Sequence, residues 1–245
     1  MARRARERVT PTPGTRLLVL VALEYEARAI RRRVAAPGAL DLSIQVVGVG
    51  ATRLSGLERR LAAERPAAVL VTGVAGGLAP DVHPGDLVVA REVGPVAGGR
   101  WLNADARLVE RSLLAAREAG TPCRVGRLLT SSGVVPTPTL KAENWRRHAA
   151  LAVDMESAPA LAWAARAALP AFAVRAVADG PGDTLSLALA AALGADGGLR
   201  PGAVLGWVGR PAVLAAAWRL WRRSRLAMDR LGRFLVAFTR RPLDP

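Results

Sequence analysis

The 245-residue chain holds one cysteine, one lysine, one tyrosine and two histidines, and aromatic residues make up 4% of it. Each shortage excludes something. Cys123 alone closes no internal disulfide, which suits a reducing, cytoplasmic setting. His83 and His148 with that one cysteine do not make the Cys/His set of a zinc site, so no metal is expected. No uninterrupted apolar run approaches the roughly 18 to 20 residues of a membrane-spanning helix. The Leu17–Leu23 run is strand-sized and Glu24 and Glu26 follow at once, so the basic Met1–Arg8 start is not read as a secretory signal. With aromatics scarce and 51% of residues hydrophobic, the core has to be built from Ala, Val and Leu. The length suffices for one α/β domain with a sizeable core.

What the chain has in abundance is arginine. It supplies 34 of the 35 basic residues, Lys141 being the exception, and the formal charge is +15. Nucleic acid, an anionic membrane surface and an acidic substrate are each compatible with that charge, as is an Arg- and Ala-rich composition with no partner behind it. The position of the arginines says more. Residues 1–15 are polar and basic, with Pro11, Pro13 and Gly14, and read as a disordered leader. Strands are expected at Arg16–Ala22, Leu42–Val47, Ala68–Thr72, Asp86–Glu92, Arg124–Leu129, Leu151–Asp154 and Ala171–Val177. Helices are expected near Glu24–Val34, Ala51–Glu64, Asp105–Ala119, Thr137–His148 and Glu156–Ala168. This alternation predicts an α/β fold with a mixed, largely parallel central sheet flanked by helices over residues 16–183.

A C-terminal helical extension is expected over 184–245. Gly and Pro punctuate Gly194–Pro201, and a long amphipathic helix runs from Pro211 to about Phe238. At 100° per residue, Arg219, Arg222, Arg223, Arg230 and Arg233 share one face, opposite Leu214, Leu220, Trp221, Met228, Leu231, Leu235 and Phe238. Such a helix either caps the domain or lies at a membrane interface.

Two glycine clusters, Gly48-Val49-Gly50 and Gly73-Val74-Ala75-Gly76-Gly77, follow predicted strands. Each is either a tight turn or a place where backbone approaches a ligand. Neither has the Walker or the dinucleotide pattern, so ATP and NAD are unsupported and no cofactor is expected. Three acids, Glu26, Glu156 and Asp179, each lie just past or at the end of a strand, where a parallel sheet gathers its functional groups in one crevice. Three such acids can divide the labour of glycosidic cleavage, although any one alone reads as a cap or a surface acid.

Several segments resemble the nucleoside phosphorylase superfamily. These are Val71–Leu78 with Pro84-Gly85-Asp86-Leu87-Val88, Val153-Asp154-Met155-Glu156-Ser157 and Arg175-Ala176-Val177-Ala178-Asp179. Ala22-Leu23-Glu24-Tyr25-Glu26 resembles the opening of the methylthioadenosine/S-adenosylhomocysteine nucleosidases. Val135-Pro136-Thr137-Pro138 with Lys141, followed by the Gly-rich joint and Arg-rich tail, is similar to the hopanoid-associated (adenosylhopane nucleoside) phosphorylases.

The resemblance implies cleavage of a purine nucleoside, with adenine released from adenosylhopane as the leading expectation. Methylthioadenosine/S-adenosylhomocysteine nucleosidase is the alternative, and an inactive scaffold binding membrane or nucleic acid is the alternative from another class. By resemblance Asp179 protonates the purine, Glu156 and Met155 hold the ribose, and Glu26 activates the nucleophile. Gly76, Val134 and Arg175 fall at the purine pocket. Arg53 is the candidate contact for inorganic phosphate as co-substrate; the residues otherwise favour water. The resemblance also implies a small-molecule or lipid nucleoside as substrate, no nucleic-acid partner, a homo-oligomer, and peripheral contact with the inner face of the membrane through residues 211–240. Three departures stand out. Ala178 replaces the serine usual before the acid, which removes a hydrogen bond that would orient Asp179. Val134 replaces an aromatic that stacks on adenine, and Val74 replaces a serine. Asp183 is read as a helix cap or as a group at the pocket edge.

Overall fold

The computed structural model describes residues 16–34, 39–185 and 211–243. The leader through Thr15 and the joint at Gly194–Pro201 lie outside these residues. The elements run β1 (Arg16–Val21), α1 (Glu24–Arg33), β2 (Asp41–Val46), a 3₁₀ turn (Val49–Ala51), α2 (Leu54–Ala63), β3 (Ala68–Gly77), β4 (Leu87–Pro95) and β5 (Leu102–Asn103). They continue as α3 (Ala106–Glu118), β6 (Cys123–Thr130), α4 (Pro138–His148), β7 (Ala150–Asp154), α5 (Ser157–Arg166), β8 (Ala171–Asp179) and α6 (Pro211–Phe238).

All seven expected strands are present, and the edge pair β4–β5 adds a two-residue strand with too little pattern to be read. The main difference lies in β3, which continues through Gly73–Gly77 instead of turning after Thr72. Its partner β8 explains this, because the two strands stay paired in parallel as far as Gly76↔Asp179. The helix expected over Ala51–Glu64 begins only at Leu54, since Ala51, at φ +56°, closes the 3₁₀ turn that holds Gly50 at φ +65°.

Strands β2, β1, β3 and β8 run parallel, as do β4, β6 and β7, and antiparallel contacts join the two sets at β3–β7 and β4–β8. The strands β3, β7, β6, β4 and β8 therefore close into a ring. Closure brings the carboxyl ends of β3 and β7 side by side, with Gly76 opposite Val153.

Alternation along the central strands feeds both faces of the sheet. Leu17, Val19 and Val21 of β1 join Phe172 and Val174 of β8 beneath α1, α3 and α6. Leu18, Leu20, Ala173 and Val177 pack on the other face with α2 and α5. The 28-residue α6 divides along its length. Ala227, Met228, Leu231, Phe234, Leu235 and Phe238 are buried, with Phe238 stacked on Phe172 at 5.2 Å. Leu214, Trp218 and Trp221 in its first half are exposed, as is Leu226 just past the midpoint. Of the apolar face expected opposite the arginines, Leu214 and Trp221 are exposed, while Met228, Leu231, Leu235 and Phe238 are buried. The helix is about 42 Å long by its rise per residue, and its buried apolar residues all lie from Ala227 onward. Among the described residues, no helix is long and apolar enough to cross a membrane.

Phe234→Ala should destabilise the fold by about 3–5 kcal/mol. Trp218→Ala should change stability by less than about 0.5 kcal/mol. Urea unfolding of the two variants checks the division of α6.

Candidate functional site

The site is built around two glycines of β3. Gly73 of β3 lies opposite Arg175 of β8, and Gly76 opposite Asp179, with a bulge between Ala75 and Gly76. At about 3.3 Å per residue, Gly73 and Gly76 stand roughly 10 Å apart. Gly73 has φ +132°, and a Cβ there would fall 2.5 Å from Glu26 Oε1 and 2.9 Å from Arg175 Nη1. At Gly76 a Cβ would meet the Asp179 carboxyl at 3.3 Å. One short glycine floor thus borders Glu26 and Arg175 at one end and Asp179 at the other.

Glu26 enters from the first turn of α1 and is buried. Its Oε2 accepts from the Leu23 amide at 3.0 Å and its Oε1 from the Val74 amide at 2.9 Å. Burial pushes its pKa up to about 7, against the opposing pull of the Arg175 guanidinium and the Val74 N–H. A carboxyl poised there is ionised about as often as not near neutrality.

Arg175 is fully buried under this end of the floor. It donates to Glu156 Oε2 at 3.1 Å and to the Thr72 carbonyl at 3.0 Å, and it pairs with Asp154 Oδ2 at 2.6 Å. Burial alone would lower its pKa, but Asp154, Glu156 and Glu26 outweigh burial and raise it. Asp154 accepts from Thr130 Oγ1 at 2.8 Å and is also bonded by the Ser157 hydroxyl and amide. Glu156 stands at the N-cap of α5, and its Oε1 accepts from the Gly50 amide at 3.0 Å. Burial raises its pKa, with Arg175 opposing and Asp154 adding. The first glycine cluster therefore connects to the second through Glu156 and Arg175.

At the other end, Asp179 is buried and bonded by the Lys141 ammonium from α4. Lys141 also donates to the carbonyls of Gly180 at 2.7 Å and Asp183 at 3.1 Å. The expectation that Asp179 lacks an orienting hydrogen bond is corrected: lysine supplies what Ala178 cannot. Burial raises the Asp179 pKa, and Lys141 opposes the rise. Asp183 is neither a bare cap nor a free acid. Its Oδ2 accepts from the Gly180 amide at 2.7 Å and from Arg223 of α6 at 2.5 Å. Those two bonds outweigh burial and lower its pKa.

The remaining candidates are placed as follows. Met155 is half-buried beside Glu156, Val134 is 42% exposed, and Arg53 is exposed just after the Val49–Ala51 turn. Arg175, expected in the purine pocket, spends its donors on protein acceptors below the floor. Sequence reasoning missed the parts played by Asp154 and Lys141. The sign for Lys141 was its being the sole lysine; for Asp154 it was an acid ending a buried strand.

Two outcomes follow from these burials. Arg175→Met strands Asp154 and Glu156 without their cation and should destabilise the fold by about 3–5 kcal/mol in chemical denaturation. A raised pKa in the folded state means stability is greatest at low pH and is lost as pH rises through about 7. Between pH 5 and 8, the wild type should therefore lose roughly 3 kcal/mol relative to Glu26→Gln. Thermal melts across that range read the difference in slope.

No curated protein matches the chain in sequence. Among solved structures, a 5′-methylthioadenosine/S-adenosylhomocysteine nucleosidase from Neisseria meningitidis superposes with a TM-score of 0.70 at 16% identity, covering 92% of this chain and 99% of that one. The Helicobacter pylori enzyme of the same name gives 0.66 at 15% identity, over 91% and 99% of the two chains. The futalosine hydrolase of Helicobacter pylori gives 0.64 at 15% identity, over 91% and 97%. At these identities the likeness is one of fold. A family model described as the phosphorylase superfamily matches residues 16–201. The chain, with its nucleoside phosphorylase-like fold, belongs to the phosphorylase superfamily.

Proposed function

We propose that the protein cleaves the N-glycosidic bond of a purine nucleoside. The observation that carries this reading is one glycine floor with a lysine-held acid at one end and two carboxylates around an arginine at the other. A neutral purine leaves poorly until its N7 is protonated. Asp179 gives that proton; its burial favours the protonated form, and Lys141 opposes this. The C1′–N9 bond breaks with its electron pair passing to the purine, and the ribose becomes cationic as in glycoside hydrolysis. Glu156 accepts from the ribose hydroxyls and its charge favours that cation, while Met155 packs on the sugar. Glu26 takes a proton from water as the oxygen bonds to C1′. A base pushed up to about 7 suits that task.

The nucleosidases and futalosine hydrolase that share the fold are named for hydrolysis of nucleosides, which supports water as acceptor. Arg53, exposed past the first glycine turn, is the contact that phosphate would use. For the substrate we favour a nucleoside with a large apolar 5′ arm, adenosylhopane by the resemblance of the chain. Val134, where the nucleosidases carry an aromatic, is an exposed aliphatic residue here, and Arg223 ties the turn at Gly180–Asp183 to the half of α6 that carries exposed tryptophans. Methylthioadenosine or S-adenosylhomocysteine is the second reading, favoured by the fold neighbours.

That exposed half is the proposed contact with an anionic lipid surface. Arg222 lies over the Trp218 ring at 4.7 Å and Arg225 over Trp221 at 4.9 Å, so indoles and cations share the outward stripe, a pairing suited to a charged headgroup layer.

Adenine release should be abolished, by about 10²-fold or more, in Asp179→Asn. It should proceed without phosphate and yield free ribose ends. Ribose 1-phosphate ends and dependence on phosphate would instead assign phosphorolysis. The protein should sediment with phosphatidylglycerol vesicles and not with phosphatidylcholine ones, and Trp218→Ser with Trp221→Ser should abolish this. Loss of a dimer in that variant, with no vesicle binding by the wild type, would assign the stripe to a second copy of the chain.

A further inference from the structure

In a chain with 34 arginines, the single lysine is fully buried and lies in the proposed site. Lys141 has three donors and the structure uses all three, on the Asp179 carboxylate and the carbonyls of Gly180 and Asp183. These acceptors converge on one point. A compact ammonium satisfies such a set, whereas a guanidinium spreads five donors over a planar fork. The α4 helix aims the side chain: Thr137 caps it through a bond from the Leu140 amide, Pro138 opens it, and Lys141 stands in its first turn.

We propose that Lys141 is a positioning residue for purine protonation, holding the Asp179 carboxyl in its working orientation and setting its strength as an acid. This rests on the nucleoside-cleaving reading of the site. With Oδ2 bonded to Lys141, Oδ1 is left as the oxygen that carries the proton to the base. The charged groups facing Asp179 are Lys141 from α4, Asp183 from the loop and Arg223 from α6. From β3 and β7 the neighbours are Gly76 and Val153, which carry no charge. Lys141 is thus the group in direct contact whose charge makes the protonated carboxyl readier to part with its proton. Burial works the other way and keeps that proton on the acid at higher pH. The same ammonium pins the turn from Gly180 to Asp183, so carboxyl and loop are fixed together.

The experiment compares two substrates in the full-length protein. An adenine nucleoside needs its leaving group protonated; a 4-nitrophenyl riboside releases a stable phenolate and does not. In Lys141→Met, adenine release should fall by about 10²-fold, in line with the loss of a positioned proton transfer. Cleavage of the nitrophenyl riboside should hold to within a few-fold. The alkaline limb of kcat/KM for the adenine nucleoside reports loss of the Asp179 proton. Removal of a nearby cation should move it up by about 1–3 pH units. Lys141→Arg, which keeps the charge, should leave the limb near its wild-type position. If Lys141→Met does not fold, Lys141→Gln reads the same limb. Equal losses on both substrates with an unmoved limb, in folded protein, would overturn the inference while leaving the reading of the site intact. Failure of the wild type to cleave either substrate would overturn the reading and the inference with it.

Discussion

The guanidinium of Arg175 is the contact on which the rest of the site depends. It is a full charge with no water around it, and such a charge is tolerated only when paired and hydrogen-bonded. Asp154 and Glu156 neutralise it, and the Thr72 carbonyl takes a further donor. These partners come from β3, β7 and the N-cap of α5, so one side chain of β8 locks together the strand ends that carry the proposed chemistry. Ring closure of the sheet puts those ends within reach, and the cation keeps them there. Each Glu156 oxygen takes one bond from the protein, Oε2 from Arg175 and Oε1 from the Gly50 amide, which leaves a second acceptor site on each for the sugar in the proposed reaction.

Around this pairing the two ends of the glycine floor hold different electrostatic settings. At one end Glu26 is burdened by burial and shielded only in part by Arg175 and two backbone N–H groups, which suits a base that must release its proton near neutrality. At the other end Asp179 is buried against a lysine, which suits a group that must hold a proton and give it up. In the proposed reaction two carboxyls on one fold take opposite roles because their surroundings differ. Gly73 and Gly76 are what allow both to stand so close to the backbone; a methyl group at the first would collide with the Glu26 carboxyl itself.

The α6 helix connects this chemistry to the surface. Its second half replaces water over β8, α1 and α3, while Arg223, Asp229 and Arg230 tie it to Asp183, Arg33 and Asp86. Its first half leaves indoles and guanidiniums outward. Trp218 and Trp221 belong to that outward part.

Much of this was written into the primary chain. Strand-length apolar runs, the intervening Ala/Leu/Arg helices and three acids placed after strands were legible because local periodicity and strand-end position are local properties. Glu26, Glu156 and Asp179 were found in that way. The continuation of β3 through a glycine cluster was not legible, since glycine after a strand reads as a turn until β8 is seen beside it. Asp154 and Lys141 were legible only as a strand-end acid and a compositional oddity. The division of α6 was likewise hidden, because an amphipathic repeat does not say where its supporting sheet ends. Residue types and their order fixed which groups could do chemistry. Packing across the closed ring of strands decided which of them are buried together, and burial sets both their pairing and their protonation.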